Sequence, residues 1–182
     1  MKDIRYDLYR LTKKTDTKTF IKMFVTNRTF RKLYYYRNYY ARGIKGIVVK
    51  LANHNLSKKL SLSIQPTAKI GRGVLFLHPS SITINSGAII GDNLTMLKGA
   101  TIGNSKTGKV GAPIIGNNVY IGLNSTVVGG ITIGNDVMIA ANTFVNFDVP
   151  DGALVLGSPA VIHKKEKASA EYIANSIFEM ED

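Results

Sequence analysis

Residues 115–145 read IGNNVYIGLNSTVVGGITIGNDVMIAANTFV, and an apolar residue returns at every sixth position of this stretch. The apolar positions are Ile115, Ile121, Val127, Ile133, Ile139 and Val145. A period of six fits neither a helix, with 3.6 residues per turn, nor a strand that alternates every two residues. It fits a solenoid in which each unit is one short strand and a turn.

The same period extends toward the N-terminus with two interruptions. Seven earlier residues continue it: Ile64, Ile70, Phe76, Ile84, Ile90, Met96 and Ile102. The step from Phe76 to Ile84 is two residues too long, and the step from Ile102 to Ile115 includes a predicted loop over 104–114. Small or β-branched residues four positions after most starts predict a second inward position, with Ser80 among them. Glycine, Asn and Asp between the strands are typical of corners, where a positive φ or side-chain capping is needed.

Composition favours an intracellular protein that is not anchored by a membrane span. The 182 residues include no cysteine, which excludes disulfides, thiol nucleophiles and thiolate metal sites. Neither an 18-residue apolar run nor a signal-peptide core follows the charged start. We therefore expect a cytoplasmic protein.

Charge is concentrated in the first third of the chain. Residues 1–62 contain 16 Lys or Arg against three Asp, and seven of the nine tyrosines, whereas the remainder is close to neutral. We predict helices over 3–12, 17–42 and 45–53, with Asp16 or Thr17 capping the second helix and Gly43 ending it. The run of Tyr and Arg at 34–42 suits a helix docked on the solenoid. It also suits contact with an anionic membrane at its inner face, or with a lipid-linked substrate, whereas no recognised nucleic-acid module accompanies the charge.

These patterns predict three regions. Residues 1–62 form a basic helical module, 63–163 a solenoid domain, and 164–182 a C-terminal tail with a helix over about 168–180.

From residue 63 onward the chain resembles the serine acetyltransferase branch of the hexapeptide acyltransferases. The resemblance rests on 64–73 (IQPTAKIGRG), on His78, on 85–103 with the following loop, and on the ending 149–162 (VPDGALVLGSPAVI). It implies an all-β solenoid, namely a left-handed parallel β-helix, assembled as a homotrimer that binds acetyl-coenzyme A. The resembled family places its catalytic histidine at His78.

His78 is the expected general base, because a hydroxyl needs its proton removed as it attacks an acetyl group and imidazole titrates near neutral pH. A corner histidine bonded to the backbone is the alternative. His54 and His163 lie outside the motif, and three scattered histidines predict no metal site.

Other site residues follow from the resemblance and their chemistry. Asn85 is expected to orient His78 or hold the thioester oxygen, or simply to cap its own turn. The acceptor is expected to meet Ser80, Ser81 and Asn85. The expected coenzyme contacts are Gly103, Asn104, Gly122, Ala140, Gly157, Pro159 and Lys164. Of these, the Gly103 N–H is expected to hold the oxyanion, and Lys164 to meet phosphate unless it is only a solvated lysine.

The chain departs from that branch where the amino acid would be gripped. Ser63 and Leu77 replace acids of the resembled enzymes, and Gly111-Ala112-Pro113 replaces their Arg-His-Pro sequence. Loss of these charges disfavours a zwitterionic substrate. We therefore expect the protein to O-acetylate a saccharide, such as a cell-surface polysaccharide or its lipid-linked precursor. In this respect the chain resembles the O-acetyltransferases of capsule and O-antigen synthesis. Serine O-acetylation and a non-catalytic structural trimer are the alternatives.

Overall fold

The computed structural model describes residues 2–181, and fifteen short strands follow one another between Leu62 and His163. The strands are β1 Leu62–Ile64, β2 Lys69–Ile70, β3 Leu75–Leu77, β4 Ile82–Ile84, β5 Ile89–Ile90, β6 Thr95–Leu97, β7 Thr101–Gly103, β8 Ile114–Ile115, β9 Tyr120–Ile121, β10 Thr126–Val128, β11 Thr132–Ile133, β12 Met138–Ile139, β13 Phe144–Val145, β14 Leu154–Leu156 and β15 Val161–His163. None exceeds three residues, as a strand-and-turn unit of six requires.

The strands from β1 to β12 belong in turn to three sheets, so that each of the first four coils contributes one strand to every sheet. The last coil contributes β13 and β14, and β15 then pairs with β14. The first sheet has the order β1-β4-β7-β10-β13, the second β2-β5-β8-β11, and the third β3-β6-β9-β12-β14-β15. All pairings are parallel except that of β14 with β15. The coils stack along one axis, and the core lies between the three sheets.

The thirteen predicted repeat starts all lie in this core. Each is at most 9% exposed: Ile64, Ile70, Phe76, Ile84, Ile90, Met96, Ile102, Ile115, Ile121, Val127, Ile133, Ile139 and Val145. The second inward positions are buried as well, for example Ala100 and Val119, with Ser80 as an exception. The sequence period therefore reports the inward-facing residues directly.

Pairing in the first sheet measures the length of each coil. Ile102 to Val127 is 25 residues, Ile64 to Ile84 is 20, and the steps Ile84 to Ile102 and Val127 to Val145 are 18 each. Eighteen residues are three units of six. The two longer coils contain the two interruptions, which leave the sheets in register because the extra residues sit at corners.

The corner glycines have a different role from the one predicted. Gly91 and Gly116 do not have positive φ, which occurs two residues later at Asn93 and Asn118, with φ of 62° and 55°. A Cβ on Gly116 would lie 2.8 Å from the carbonyl carbon and oxygen of Gly134 in the next coil. Glycine is needed here because consecutive coils touch backbone to backbone.

Four helices precede the solenoid: α1 Lys2–Thr12, α2 Thr17–Thr26, α3 Arg28–Arg37 and α4 Gly43–Leu60. The predicted helix over 17–42 is broken at Asn27, whose side chain accepts a hydrogen bond from Phe30 N at 2.9 Å and so begins a new helix. Asp16 caps α2 as predicted, through Thr19 N. The prediction that Gly43 ends a helix is wrong, because α4 begins there and continues past residue 53.

Buried charges attach the helices to the first coils. Arg37 donates from Nε and Nη2 to the Asp7 carboxylate, both at 3.0 Å, and also donates to the Ile70 carbonyl. Asp7 accepts from Val74 N at 2.8 Å as well, and burial raises its pKa against the opposing effect of Arg37. Arg10 donates to Thr95 Oγ1 at 2.7 Å. The Tyr-Arg run is thus partly buried on the solenoid, since Tyr36 donates to the Ala68 carbonyl.

The predicted C-terminal helix over 168–180 is wrong. The segment forms only a 3₁₀ turn at Ala170–Tyr172 and the short helix α5 Phe178–Glu181. Its polar groups bond to the rest of the protein instead: Asn175 Nδ2 donates to the Arg10 carbonyl, and Ile177 N donates to Asn93 Oδ1, both at 3.0 Å. These contacts replace the hydrogen bonds that a continuous helix would have made.

Within residues 2–181, no helix is both long enough and apolar enough to cross a bilayer.

Candidate active site

His78 lies at the first irregular corner of the solenoid, directly after β3. Its φ is 50° and that of Ser81 is 54°, so two residues of this corner adopt the left-handed conformation that side chains rarely take. The His78 side chain is exposed. The two-residue insertion therefore presents an imidazole at the surface of an otherwise regular coil, and a strained backbone of this kind is common at functional sites.

Three predicted coenzyme residues lie on the same edge of the solenoid as His78. Gly122, Ala140 and Gly157 directly follow β9, β12 and β14, which belong to the third sheet together with β3. We call the line formed by these four residues the His78 edge. Gly122 is buried, and a Cβ there would lie 2.6 Å from Ala141 N, so coil stacking alone already requires this glycine.

Asn85, Gly103 and Asn104 lie on the opposite border of the first sheet, which we call the Asn85 edge. Asn85 Oδ1 accepts from Gly87 N at 3.0 Å, and its Nδ2 donates to Asn104 Oδ1 at 3.2 Å. Asn85 therefore caps its own turn. It is separated from His78 by the length of β4, which is about 10 Å for three extended residues.

This separation corrects the expectation that Asn85 orients His78 within one chain. A contact between them requires the Asn85 edge of a second chain.

The outer face of the first sheet joins the two edges, and its outward positions on four neighbouring strands are Ser63, Thr83, Thr101 and Thr126. Apart from Ser63, these hydroxyl residues were not singled out from the sequence. The pattern was visible there, since each of the four directly precedes a repeat start.

The two serines beside His78 are both exposed. Ser80 is not at the predicted inward position, because the extra residues move it out of the coil, where its carbonyl accepts from Gly99 N at 2.9 Å. Both hydroxyls remain close in sequence to the imidazole, so the predicted acceptor-binding role is sterically open to them.

The second insertion, residues 104–113, folds back as a hairpin on the Asn85 edge. Ser105 and Gly111 pair in both directions at 2.9 and 3.0 Å, and Gly130 N donates to the Lys109 carbonyl at 2.7 Å. Lys109 also forms an ion pair with Asp148, which lowers the pKa of that carboxyl.

The space between the hairpin and the first sheet measures about 290 Å³, and its lining includes Thr107, Lys109, Val128 and Phe144. The hairpin therefore creates a small recess on the Asn85 edge.

The last predicted coenzyme residues lie at the C-terminal end of the solenoid. Gly157 and Pro159 are exposed on the turn between β14 and β15, where the Ser158–Pro159 peptide bond is cis. Lys164 follows β15 and, together with Lys165, lines a separate cavity of about 380 Å³. The lining also includes the carboxylates Asp151 and Glu166, so this cavity has no excess of positive charge to favour a phosphate, and neither Gly157 nor Pro159 lines it.

Within the described residues 2–181, no three His, Cys, Asp or Glu side chains are grouped closely enough to hold a metal ion. The arrangement is instead an exposed imidazole at one border of a hydroxyl-bearing sheet face, with small residues continuing along its edge.

The fold and this edge define the class of protein. Residues 112–146 match the family described as "Bacterial transferase hexapeptide (six repeats)". This part of the chain thus carries the hexapeptide repeats of bacterial transferases, and the solenoid is the left-handed parallel β-helix that the family resemblance implied.

Within this class the chain is similar to serine acetyltransferases. It is 38% identical over 109 residues to the serine acetyltransferase of Helicobacter pylori, which covers 58% of this chain and 63% of that protein. The Neisseria gonorrhoeae serine acetyltransferase in complex with serine superposes with a TM-score of 0.73 at 28% identity, over 90% of this chain and 68% of the other.

The Brucella abortus serine acetyltransferase in complex with coenzyme A superposes with a TM-score of 0.75 at 24% identity, over 91% of this chain and 68% of the other. The chain spans less than two thirds of the length of the curated relatives it matches.

Proposed function

We propose that this protein transfers an acetyl group from acetyl-CoA to a hydroxyl, with His78 as the general base. The observation that carries the proposal is the placement of His78, an exposed imidazole held at positive φ by an insertion in a regular solenoid. The similarity to serine acetyltransferases and the coenzyme A complex of one structural relative support the choice of acetyl-CoA as donor.

Direct transfer within a ternary complex is the mechanism that suits these residues. The acceptor oxygen attacks the acetyl carbonyl while His78 takes its proton, and His78 then returns that proton to the departing thiolate of coenzyme A. The chain has no cysteine to form a thioester intermediate. The Gly103 N–H on the Asn85 edge of a neighbouring chain is proposed to hold the developing oxyanion, and the coenzyme arm is proposed to follow the His78 edge past Gly122 and Ala140.

A homotrimer is part of the proposal, because one chain does not bring the two edges together. In a three-sided assembly, the Asn85 edge of one protomer can face the His78 edge of another. Asn85 and Asn104 would then contribute to a site completed by His78 of the neighbouring chain.

For the acceptor, the charges of the chain favour an uncharged polyol such as a saccharide. Between residues 62 and 135 the only carboxylate is Asp92. It is bound to Arg72 at 2.7 Å and lies after β5, on a different corner of the solenoid from His78. A zwitterionic amino acid needs a carboxylate for its ammonium group, and this part of the chain offers none that is unpaired.

Serine is the second candidate acceptor, and the comparisons support it more directly than they support a saccharide. The relatives above are serine acetyltransferases, and one of them is described in complex with serine. A site completed by a second protomer or by Asp148 would be needed to hold the ammonium group.

One assay separates the candidates. Thiol release from acetyl-CoA is followed with L-serine, with a panel of monosaccharides and with a lipid-linked oligosaccharide. Turnover with a saccharide and not with serine supports the main proposal, and efficient turnover of serine alone replaces it with the second candidate. Absence of thiol release with every acceptor would favour a non-catalytic trimer.

A further inference from the structure

Helix α4 carries an apolar face that nothing in the described chain covers. The helix contacts α3 and β1, and its buried residues include Val49 and Leu56. On the other side Ile44, Ile47, Val48 and Leu51 are 82%, 61%, 55% and 61% exposed. Their spacing of i, i+3, i+4 and i+7 places them on one stripe of the helix. We call these four residues the α4 stripe.

The orientation of this stripe is fixed from the opposite side of the helix. The buried ammonium of Lys32 on α3 donates to Asn53 Oδ1 at 2.7 Å and to Ser57 Oγ. These bonds hold the inner face of α4 against α3. The stripe cannot turn inward without breaking them, which would leave a buried cation without partners.

Cations surround the stripe and anions are absent from the helix. Lys45 and Lys50 lie within the stripe's length, Lys58 and Lys59 follow it, all four are exposed, and α4 contains no Asp or Glu. The whole region 1–62 carries an excess of 13 positive charges. Contact between two copies through this face would bring these excesses together, which is electrostatically unfavourable. An anionic partner is favoured instead.

We propose that the α4 stripe lies in the interfacial layer of an anionic lipid membrane, with its lysines at the headgroups. An apolar stripe flanked by lysines has the chemistry of an interfacial helix, whose binding combines apolar burial with attraction to anionic lipid. Tyr36 and Arg37 of the Tyr-Arg run are not available for this contact, because they bond to the solenoid. The inference is independent of the acetyl-transfer proposal.

The test is co-flotation of the full chain with vesicles of phosphatidylcholine, with and without phosphatidylglycerol. The wild-type protein is expected to float with the phosphatidylglycerol vesicles only, and to be released by salt. Ile47→Ser with Val48→Ser is expected to weaken binding by on the order of tenfold. Ile21→Ser is the matched control, because Ile21 is 57% exposed on α2, and it should bind within about twofold of wild type.

A second variant separates lipid binding from a folding defect. Lys45→Gln with Lys58→Gln leaves the apolar stripe intact and is expected to weaken binding to anionic vesicles by on the order of tenfold. Circular dichroism verifies that each variant is folded. Failure of the wild-type protein to float, equal binding to both vesicles, or an equal loss in Ile21→Ser would overturn the proposal. The proposal would also be overturned if the variant with Ile47→Ser and Val48→Ser dissociated into smaller assemblies in sedimentation without lipid, since the α4 stripe would then be a protein interface.

Discussion

Replacing Gly116 by alanine tests the finding that the coils touch through their corner glycines. The new Cβ would lie 2.8 Å from the carbonyl carbon and oxygen of Gly134 and 2.8 Å from Asn135 Oδ1. That amide oxygen accepts from Asn117 N at 2.8 Å, and Gly134 N donates to the Val149 carbonyl at 2.9 Å. The neighbours therefore cannot retreat without losing hydrogen bonds.

The expected cost follows from overpacking against a fixed backbone, which is typically about 1–3 kcal/mol. Alanine also restricts the unfolded chain, which returns about 0.4–1 kcal/mol. The net loss in the free energy of unfolding is then about 1–2 kcal/mol, which lowers Tm by about 2–8 °C for a chain of this size.

Thermal unfolding followed by far-ultraviolet circular dichroism measures this shift. Gly103→Ala is the matched control, because a Cβ there would meet only Val128 Cγ2 at 3.6 Å and Thr101 Cγ2 at 3.9 Å. Its Tm should stay level or rise slightly. If both variants melt at the wild-type temperature, the corner glycines are not required by coil contact and the argument fails.

Two further predictions concern buried charges. Asp7→Asn should lower the free energy of unfolding by about 3–5 kcal/mol, because it leaves Arg37 buried without its anion. Urea titration measures this loss, with the exposed cap variant Asp16→Asn as the control. A smaller loss in Asp7→Asn than in Asp16→Asn would contradict the prediction. Burial lowers the pKa of Lys32 from 10.5 to about 8. Between about pH 8 and 10.5, Lys32 is protonated in the unfolded chain but largely neutral in the folded one. The free energy of unfolding should therefore rise with pH across this range, by up to about 3 kcal/mol. Urea titrations of Lys32→Met should lack this rise, and an identical slope in both proteins would refute the assignment.

The solenoid was predictable because its signal is local and repeated. A buried residue every six positions, from Ile64 to Val145, reports a coil whose three sheets impose one spacing throughout. Both insertions were visible as breaks in this spacing. The reason for the corner glycines was not visible, since the contact with the next coil joins residues about 18 positions apart.

The helices and the tail were harder to predict because tertiary contacts decide them. Asn27 ends one helix and caps the next although apolar residues continue at helical spacing on both sides. Helix α4 is apolar on two faces, which weakens the periodicity that would have given its length. Residues 168–180 contain good helix formers, yet they bond to Arg10 and Asn93 instead. The pairing of Asp7 with Arg37 has no local signal at all.

For the candidate site, the sequence selected His78 and the edge it belongs to, but it could not measure the distance from His78 to Asn85. The border of a sheet is recognisable from strand ends, whereas the contact between two borders depends on how copies of the chain assemble. The predicted roles of Gly103, Pro159 and Lys164 remain predictions for the same reason.

The most direct test of the central claim is the rate of thiol release from acetyl-CoA by His78→Ala, with the best acceptor found in the panel. The account predicts a fall in kcat of about 10²–10⁴-fold with an unchanged circular dichroism spectrum. The control His54→Ala, which alters an exposed histidine on α4, should retain the wild-type rate. A wild-type kcat in His78→Ala would contradict the account and remove His78 from the mechanism.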